Sequence, residues 1–233
     1  VRGRLCLIGL MGFLLDFTAF VGLQISSSGS GTALLKTDIL FVNLISVLIY
    51  KQRFRRREWL YTLCMLFGVL LVMGLDPREL SLSDPGGPFF LLSALFVSIN
   101  AFLIKSVQRS PKGSVGSHTI AFYNNLITLA LFTVTAAAMG ALPQLALIPS
   151  RPGLLLSLVV AGCGQTGIYL VYYYDLARFP VWLVKVFLLL MPVVAGGISF
   201  LLFGERLAAW QIGGMLIVLL GACGILSEQR AKE

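Results

Sequence analysis

Asp16, Lys36 and Lys185 are ionisable residues that stand inside long apolar stretches of the sequence. Charged groups in such stretches are costly, so they are candidates for function by default. Asp16 could bind a cation or a proton, although a structural pair or a buried neutral acid would also explain it. The lysines could attract an anionic or phosphate-bearing molecule, or each could extend to the nearer end of its stretch. Asp38 lies two residues from Lys36 on a different helix face, so a direct pair between them is not expected.

Neutral polar residues extend this set. Gln165 and Tyr169 are four residues apart, which places them on one face of a helix. They could line a cavity and bind a substrate, as could Asn43 and Asn124, although hydrogen bonds between helices are an adequate account of the asparagines and of Gln165. The predicted substrate-binding residues are Asp16, Lys36, Asn43, Asn124, Gln165, Tyr169 and Lys185.

The sequence offers little for covalent, metal or cofactor chemistry. It contains no glycine-rich phosphate-binding loop and no nucleophilic triad. Its four cysteines stand inside apolar stretches without the C-x-x-C spacing of a metal site. We therefore expect no metal, no cofactor and no enzymatic activity.

The elements that must position these residues are membrane-spanning helices. The chain has 233 residues, of which 58% are hydrophobic and only 12% are charged, and its mean hydropathy is +0.91. Apolar runs recur at the length of about 17 to 25 residues that a bilayer requires. The composition therefore predicts an all-α, polytopic transmembrane helical bundle. The eight predicted spans are 5–24, 32–50, 59–75, 88–105, 119–141, 153–174, 181–203 and 208–226.

The net charge of +8 orients the chain rather than indicating nucleic acid. With the N-terminus in the cytoplasm, thirteen Lys and Arg residues fall on the cytoplasmic side and three on the far side. This bias predicts an integral protein of the plasma (inner) membrane with both termini cytoplasmic. The basic run 51–58 sets the topology or binds anionic lipids. The expected partners are a small-molecule substrate and membrane lipids, and a homodimer is left open.

An internal repeat relates the two parts of the sequence. Residues 4–74 align with 157–227 at a constant shift of 153, so that three spans coincide. An odd number of spans separates each matched pair, which predicts an inverted repeat of the kind found in secondary transporters. Under this shift Lys185 falls one helical turn from Lys36. The predicted domains are residues 1–80 with three helices, 88–228 with five, and the cytoplasmic tail 229–233. Two helices before residue 1 would complete a five-plus-five protein.

The segment 188–226 carries a family resemblance. Its motif residues are Pro192, Gly204, Glu205, Arg206, Gly213, Gly214 and Gly221. They resemble the proline, the Gly-Glu-Arg turn and the glycine-rich last helix of EamA-type proteins in the drug/metabolite transporter superfamily. The resemblance implies ten helices, a central cavity and alternating access for a small metabolite.

The glycines and the proline of this motif also have physical interpretations. The glycines would allow close helix packing, and Pro192 would kink its helix in mid-span. The predicted function is a secondary transporter of a small polar metabolite, with an anion favoured by the lysines. The alternative is a non-transporting subunit or a lipid-handling protein that keeps the fold.

Overall fold

The computed structural model describes residues 2–25, 34–73, 85–110, 115–145, 148, 152–204 and 207–230. Within these ranges the regular structure is helical, without a strand, which confirms the predicted all-α class. The helices of the described residues are α1 (Arg2–Ile25), α2 (Asp38–Leu48), α3 (Arg56–Val72), α4 (Gly87–Gln108), α5 (Ser117–Ala138), α6 (Leu142–Leu145), α7 (Pro152–Arg178), α8 (Val181–Leu188), α9 (Met191–Phe203) and α10 (Ala209–Arg230).

Six helical stretches in the described part of the chain are long and apolar enough to cross a membrane. They are Arg2–Ile25, Gly87–Gln108, Ser117–Ala138, Pro152–Arg178, Val181–Leu202 and Ala209–Gln229. The other two predicted spans coincide with α2, which has only eleven residues, and with α3, whose seventeen residues begin with Arg56, Arg57 and Glu58. Length and composition therefore support six of the eight predicted spans.

The predicted span 181–203 is divided into α8 and α9 by a turn at Leu189 and Leu190. Both turn residues donate to carbonyls three residues back rather than four. Pro192 stands in the first turn of α9. There it needs no amide hydrogen, and it prevents the helix before it from continuing unbroken. Pro192, predicted to kink its helix in mid-span, thus stands at the start of the second helical segment of this span.

A similar turn precedes α2 without a proline. The Thr37 amide and hydroxyl both donate to the Leu34 carbonyl, at 3.1 Å and 2.6 Å. This local bonding competes with a continuous helix. The helix proper then begins at Asp38, so the predicted span 32–50 is helical over a shorter range than expected.

The described chain forms two compact units. The first comprises Val1–Asp16 and Ile99–Pro180, and the second comprises Phe17–Ser98 and Val181–Glu233. In the first unit α1 packs on α5, where Phe13 and Phe132 meet edge to face with centroids 4.9 Å apart. The end of α4 is fastened to α7 because Gln108 donates to the Tyr173 carbonyl at 2.7 Å.

In the second unit α3 and α10 make the most extensive helix contact. Gln211, near the start of α10, donates to the Val72 carbonyl at the end of α3 (3.1 Å). Gln229, near the end of α10, donates to Glu58 at the start of α3 (2.9 Å). The two helices therefore run antiparallel.

Glycines bring α3 and α10 into backbone contact. A Cβ added at Gly68 would lie 2.8 Å from the Gly214 carbonyl oxygen, and one added at Gly214 would lie 2.6 Å from the Gly68 carbonyl oxygen. A Cβ at Gly221 would collide with Met65. At Gly213, in contrast, it would meet no described atom within 4 Å. Adjacent residues of a helix point in different directions, so Gly213 faces away from α3 although Gly214 contacts it. Close packing is therefore not the role of Gly213 in the described structure.

Many large apolar side chains point outward. Leu201 is 77% exposed, Leu220 is 71% exposed, and the most apolar part of α7 is not buried at all. Such surfaces would be unfavourable in water and are the expected lipid-facing surfaces of a membrane protein.

Candidate substrate-binding sites

An ion pair joins the two interrupted helical segments of the second unit. The Lys185 ammonium donates to Oδ2 of Asp38 at 2.7 Å. Only 4% of the Lys185 side chain and 15% of the Asp38 side chain are exposed. The Lys185 head therefore lies inside the unit, which favours an internal site over extension to the membrane surface.

Helix polarity stabilises both ions. Asp38 lies in the first turn of α2 and Lys185 in the last turn of α8. Each charge is thus at the helix end whose partial charge is opposite to its own. The Ser98 hydroxyl lies against the start of α2, at 3.0 Å from the Asp38 carbonyl oxygen and 2.7 Å from the Ala94 carbonyl oxygen of its own helix.

Further polar groups of the second unit lie on α2 and just before it. Lys36 is half-buried and is within electrostatic range of both Asp38 and Lys185. Asn43 and Ser46 are each only 1% exposed. Among the described residues, neither the Asn43 amide nor the Ser46 hydroxyl has a hydrogen-bond partner. Buried polar groups are rarely left without a partner, so these two are candidates to bind a ligand.

The other predicted binding residues belong to the first unit. Tyr169 lies next to Gln165 and within electrostatic range of Asp16. Tyr169 also packs against Tyr173, with tilted rings whose centroids are 5.9 Å apart. Gln165 is exposed, whereas Asp16 and Tyr169 are half-buried. The predicted neighbours Gln165 and Tyr169 therefore do share a surface, and a carboxylate faces it.

Asn124 lies where α5 contacts α1. It is 4% exposed, and its Oδ1 atom abuts Gly12 of α1, where an added Cβ would lie 2.5 Å away. In the described structure its Oδ1 has no hydrogen-bond partner. Its position at the contact of α1 with α5 is compatible with both the binding and the packing interpretation of the sequence.

Comparison with known proteins identifies the family. The sequence profile of the EamA-like transporter family matches residues 2–74 and 85–227. The chain belongs to the EamA-like transporter family. Together with its apolar helices, this makes it an integral membrane protein, and the predicted family is confirmed.

A solved structure supports the fold. The structure, titled "Crystal structure of protein", matches this EamA-like chain with a TM-score of 0.74 and 18% sequence identity. The match covers 94% of this chain and 74% of that chain. At this identity the likeness is one of fold. No curated protein sequence matches the chain.

The EamA-like motif is described in part. Gly204 ends α9 in the left-handed conformation, with φ of 66°, which only glycine adopts without strain. This explains the glycine of the predicted Gly-Glu-Arg turn. Glu205 and Arg206 lie outside the described residues.

Asp38 is the main site residue absent from the sequence prediction. Its carboxylate stands out as a charge in an apolar stretch, but the only nearby partner in the sequence is Lys36, which lies on a different helix face. Its actual partner is 147 residues away. The repeat alignment shows only that the two residues stand on equivalent helices, so the sequence carries no direct signal for their contact. The expectation of two lysines facing an anion is incomplete, because one of them already has a carboxylate partner.

Proposed function

We propose that this EamA-like protein is a secondary carrier that moves a small, polar, anionic metabolite across the plasma (inner) membrane by alternating access. The observation that carries the proposal is the buried Asp38–Lys185 pair at the meeting point of two interrupted helices. Interrupted helices are a recurrent way for carriers to present charged groups and helix ends to a substrate.

The position of the two interruptions supports an inverted repeat. With the shift of 153, the turn at Lys36 and Thr37 corresponds to the turn at Leu189 and Leu190, and the start of α2 at 38 corresponds to the start of α9 at 191. The helices α3 and α10, which the same shift pairs, pack antiparallel. Antiparallel contact between matched helices is expected for units of opposite topology.

The proposed repeats are residues 1–80 and 88–228, followed by the tail 229–233. In this arrangement α2 and α3 also cross the membrane, which gives eight crossings and places both termini in the cytoplasm. Asp16 and its tyrosine neighbours provide a second candidate site, and we assign Asp16 to the coupling cation or proton. A carboxylate with limited exposure is suited to binding and releasing a proton.

Counterflow into proteoliposomes tests the carrier function. Vesicles with purified protein are preloaded with one unlabelled carboxylate or zwitterion from a panel, and uptake of the same labelled compound is followed. We expect uptake of at least one anionic compound above protein-free vesicles. Lys36→Gln should lower it by about tenfold or more, since tenfold corresponds to only about 1.4 kcal/mol of lost binding. Arg53→Gln, an exposed charge change, is the matched control and should have little effect.

Two further readouts separate substrate transport from proton coupling and from lipid movement. A pH gradient applied in the same vesicles should drive uptake by the wild type, whereas Asp16→Asn should retain counterflow and lose the response to the gradient. If no compound of the panel moves, while fluorescent lipids equilibrate between leaflets, the lipid-handling alternative is supported and the carrier proposal fails.

A further inference from the structure

Among the described residues of the second unit, three charged groups lie at the interruptions of the helices. They are the ammonium groups of Lys36 and Lys185 and the carboxylate of Asp38. Among the described residues, every other charged side chain of this unit lies in the segment 51–58 or at the end of α10. The charges of these two segments partly neutralise one another, since Glu228 forms ion pairs with Arg55 at 2.8 Å and with Arg57 at 3.3 Å.

We propose that Asp38 is an internal counter-ion that limits the site to one net positive charge and thereby selects a substrate with one net negative charge. This inference rests on the carrier function proposed above and names its substrate class. Two ammonium groups and one carboxylate leave one positive charge. A monoanion would neutralise the site, whereas a dianion would leave a buried excess of negative charge, which is costly where the effective dielectric constant is low.

The geometry assigns different roles to the two lysines. Lys185 forms an ion pair with Asp38, and both ions lie at favourable helix ends. In the described structure Lys36 makes no ion pair within 4.0 Å, although it is within electrostatic range of Asp38. Lys36 is therefore the ammonium that meets the substrate anion, and Asp38 keeps Lys185 from attracting a second one.

Asn43 and Ser46 define the uncharged part of the substrate. Both are buried on α2, and in the described structure their side-chain amide and hydroxyl groups have no hydrogen-bond partner. An amide offers both donors and an acceptor, and a hydroxyl offers one of each kind. The substrate class that fits is a small monocarboxylate that also carries a hydroxyl or amide group.

Competition in the counterflow assay tests the charge rule. L-lactate serves as the hydroxy-monocarboxylate and L-malate as its dicarboxylate counterpart, and the ratio of their uptake rates is measured. We expect the wild type to favour lactate. Asp38→Asn raises the net charge of the site by one and should shift the ratio toward malate by about tenfold or more. At an intermediate effective dielectric constant, the interaction with a unit charge a few ångströms away is larger than the free energy of a tenfold change. Asp38→Glu keeps the charge and should retain the wild-type preference.

The outcomes separate this inference from the proposed function. If the wild type transports both compounds and Asp38→Asn leaves the ratio within about twofold of its wild-type value, the charge rule is overturned and the carrier function stands. A wild-type preference for malate overturns it as well. If Asp38→Asn does not fold, Lys36→Gln replaces it, since a neutral site should lose the preference for lactate over neutral lactamide. A wild type that moves no compound of the wider panel contradicts the carrier function and this inference together.

Discussion

At the scale of single residues, the buried Asp38–Lys185 pair is weak evidence for a stabilising role. Removing two ions from water costs free energy that their mutual attraction only partly offsets, and a well-packed apolar pair is often as stable or more stable. The helix ends and the 2.7 Å hydrogen bond reduce this cost. Retaining a buried pair of opposite charges therefore fits a binding role better than a purely structural one.

The pair should show strong coupling in a double-mutant cycle. Lys185→Met leaves a buried carboxylate without its partner, and Asp38→Asn leaves a buried ammonium without its counter-ion. Each single change should lower the stability of the purified protein by about 3 kcal/mol, whereas the double variant should recover much of that loss. Melting temperatures in detergent measure the effect, with Arg53→Gln as the exposed control. Additive losses in the double variant would show that the two side chains do not depend on each other.

The sequence predicted the types of these residues better than their partners. Charges and amides inside apolar stretches stand out by composition alone, which is why Lys36, Lys185 and Asn43 could be predicted as site residues. The contact of Lys185 with Asp38 joins segments far apart in the chain. A helical period assigns a residue to a face of its own helix, but not to a neighbouring helix.

At the scale of elements, hydropathy located the helices but not their interruptions. The turn before α9 has a proline next to it, yet a proline within an apolar run is equally compatible with a kink. The turn before α2 depends on a threonine that bonds the Leu34 carbonyl, and threonine is common in uninterrupted membrane helices. The lengths of α2 and α8 follow from these local hydrogen bonds, which composition does not encode.

The contact between α3 and α10 provides a test with adjacent residues. Gly214→Ala places a methyl group against the Gly68 carbonyl and the Val72 amide nitrogen, at 2.6 Å and 2.9 Å. These are backbone atoms that cannot rotate away, so we expect a loss of about 1–3 kcal/mol from overpacking. Gly213→Ala meets no described atom within 4 Å and should be neutral or stabilising by up to about 1 kcal/mol. Thermal unfolding in detergent distinguishes them. Equal effects of the two changes would contradict the antiparallel glycine contact.

At the scale of the whole molecule, the class and the family could be predicted because they depend on quantities that the sequence contains directly. Apolar length gives helices that suit a bilayer, and the motif around Gly204 gives the family. The number of crossings depends on α2 and α3, whose apolar parts are short because one helix is interrupted and the other begins with charges. For these two helices, length is a weaker guide to whether they cross the membrane than the position of the loops around them.

The positions of residues 52 and 85 decide between eight and six crossings. If α2 and α3 both cross, the exposed loop residue Gln52 faces the cytoplasm and Pro85, before α4, faces the far side. If neither crosses, both residues lie on the same side. We expect a membrane-impermeant maleimide to label Pro85→Cys in intact cells and Gln52→Cys only after permeabilisation. Both substitutions are made after Cys6, Cys64, Cys163 and Cys223, which are all exposed, have been replaced by serine. Labelling of both positions in intact cells would exclude the eight-crossing topology, and with it the pairing of α3 and α10 as inverted equivalents, because matched helices must cross the membrane in opposite directions.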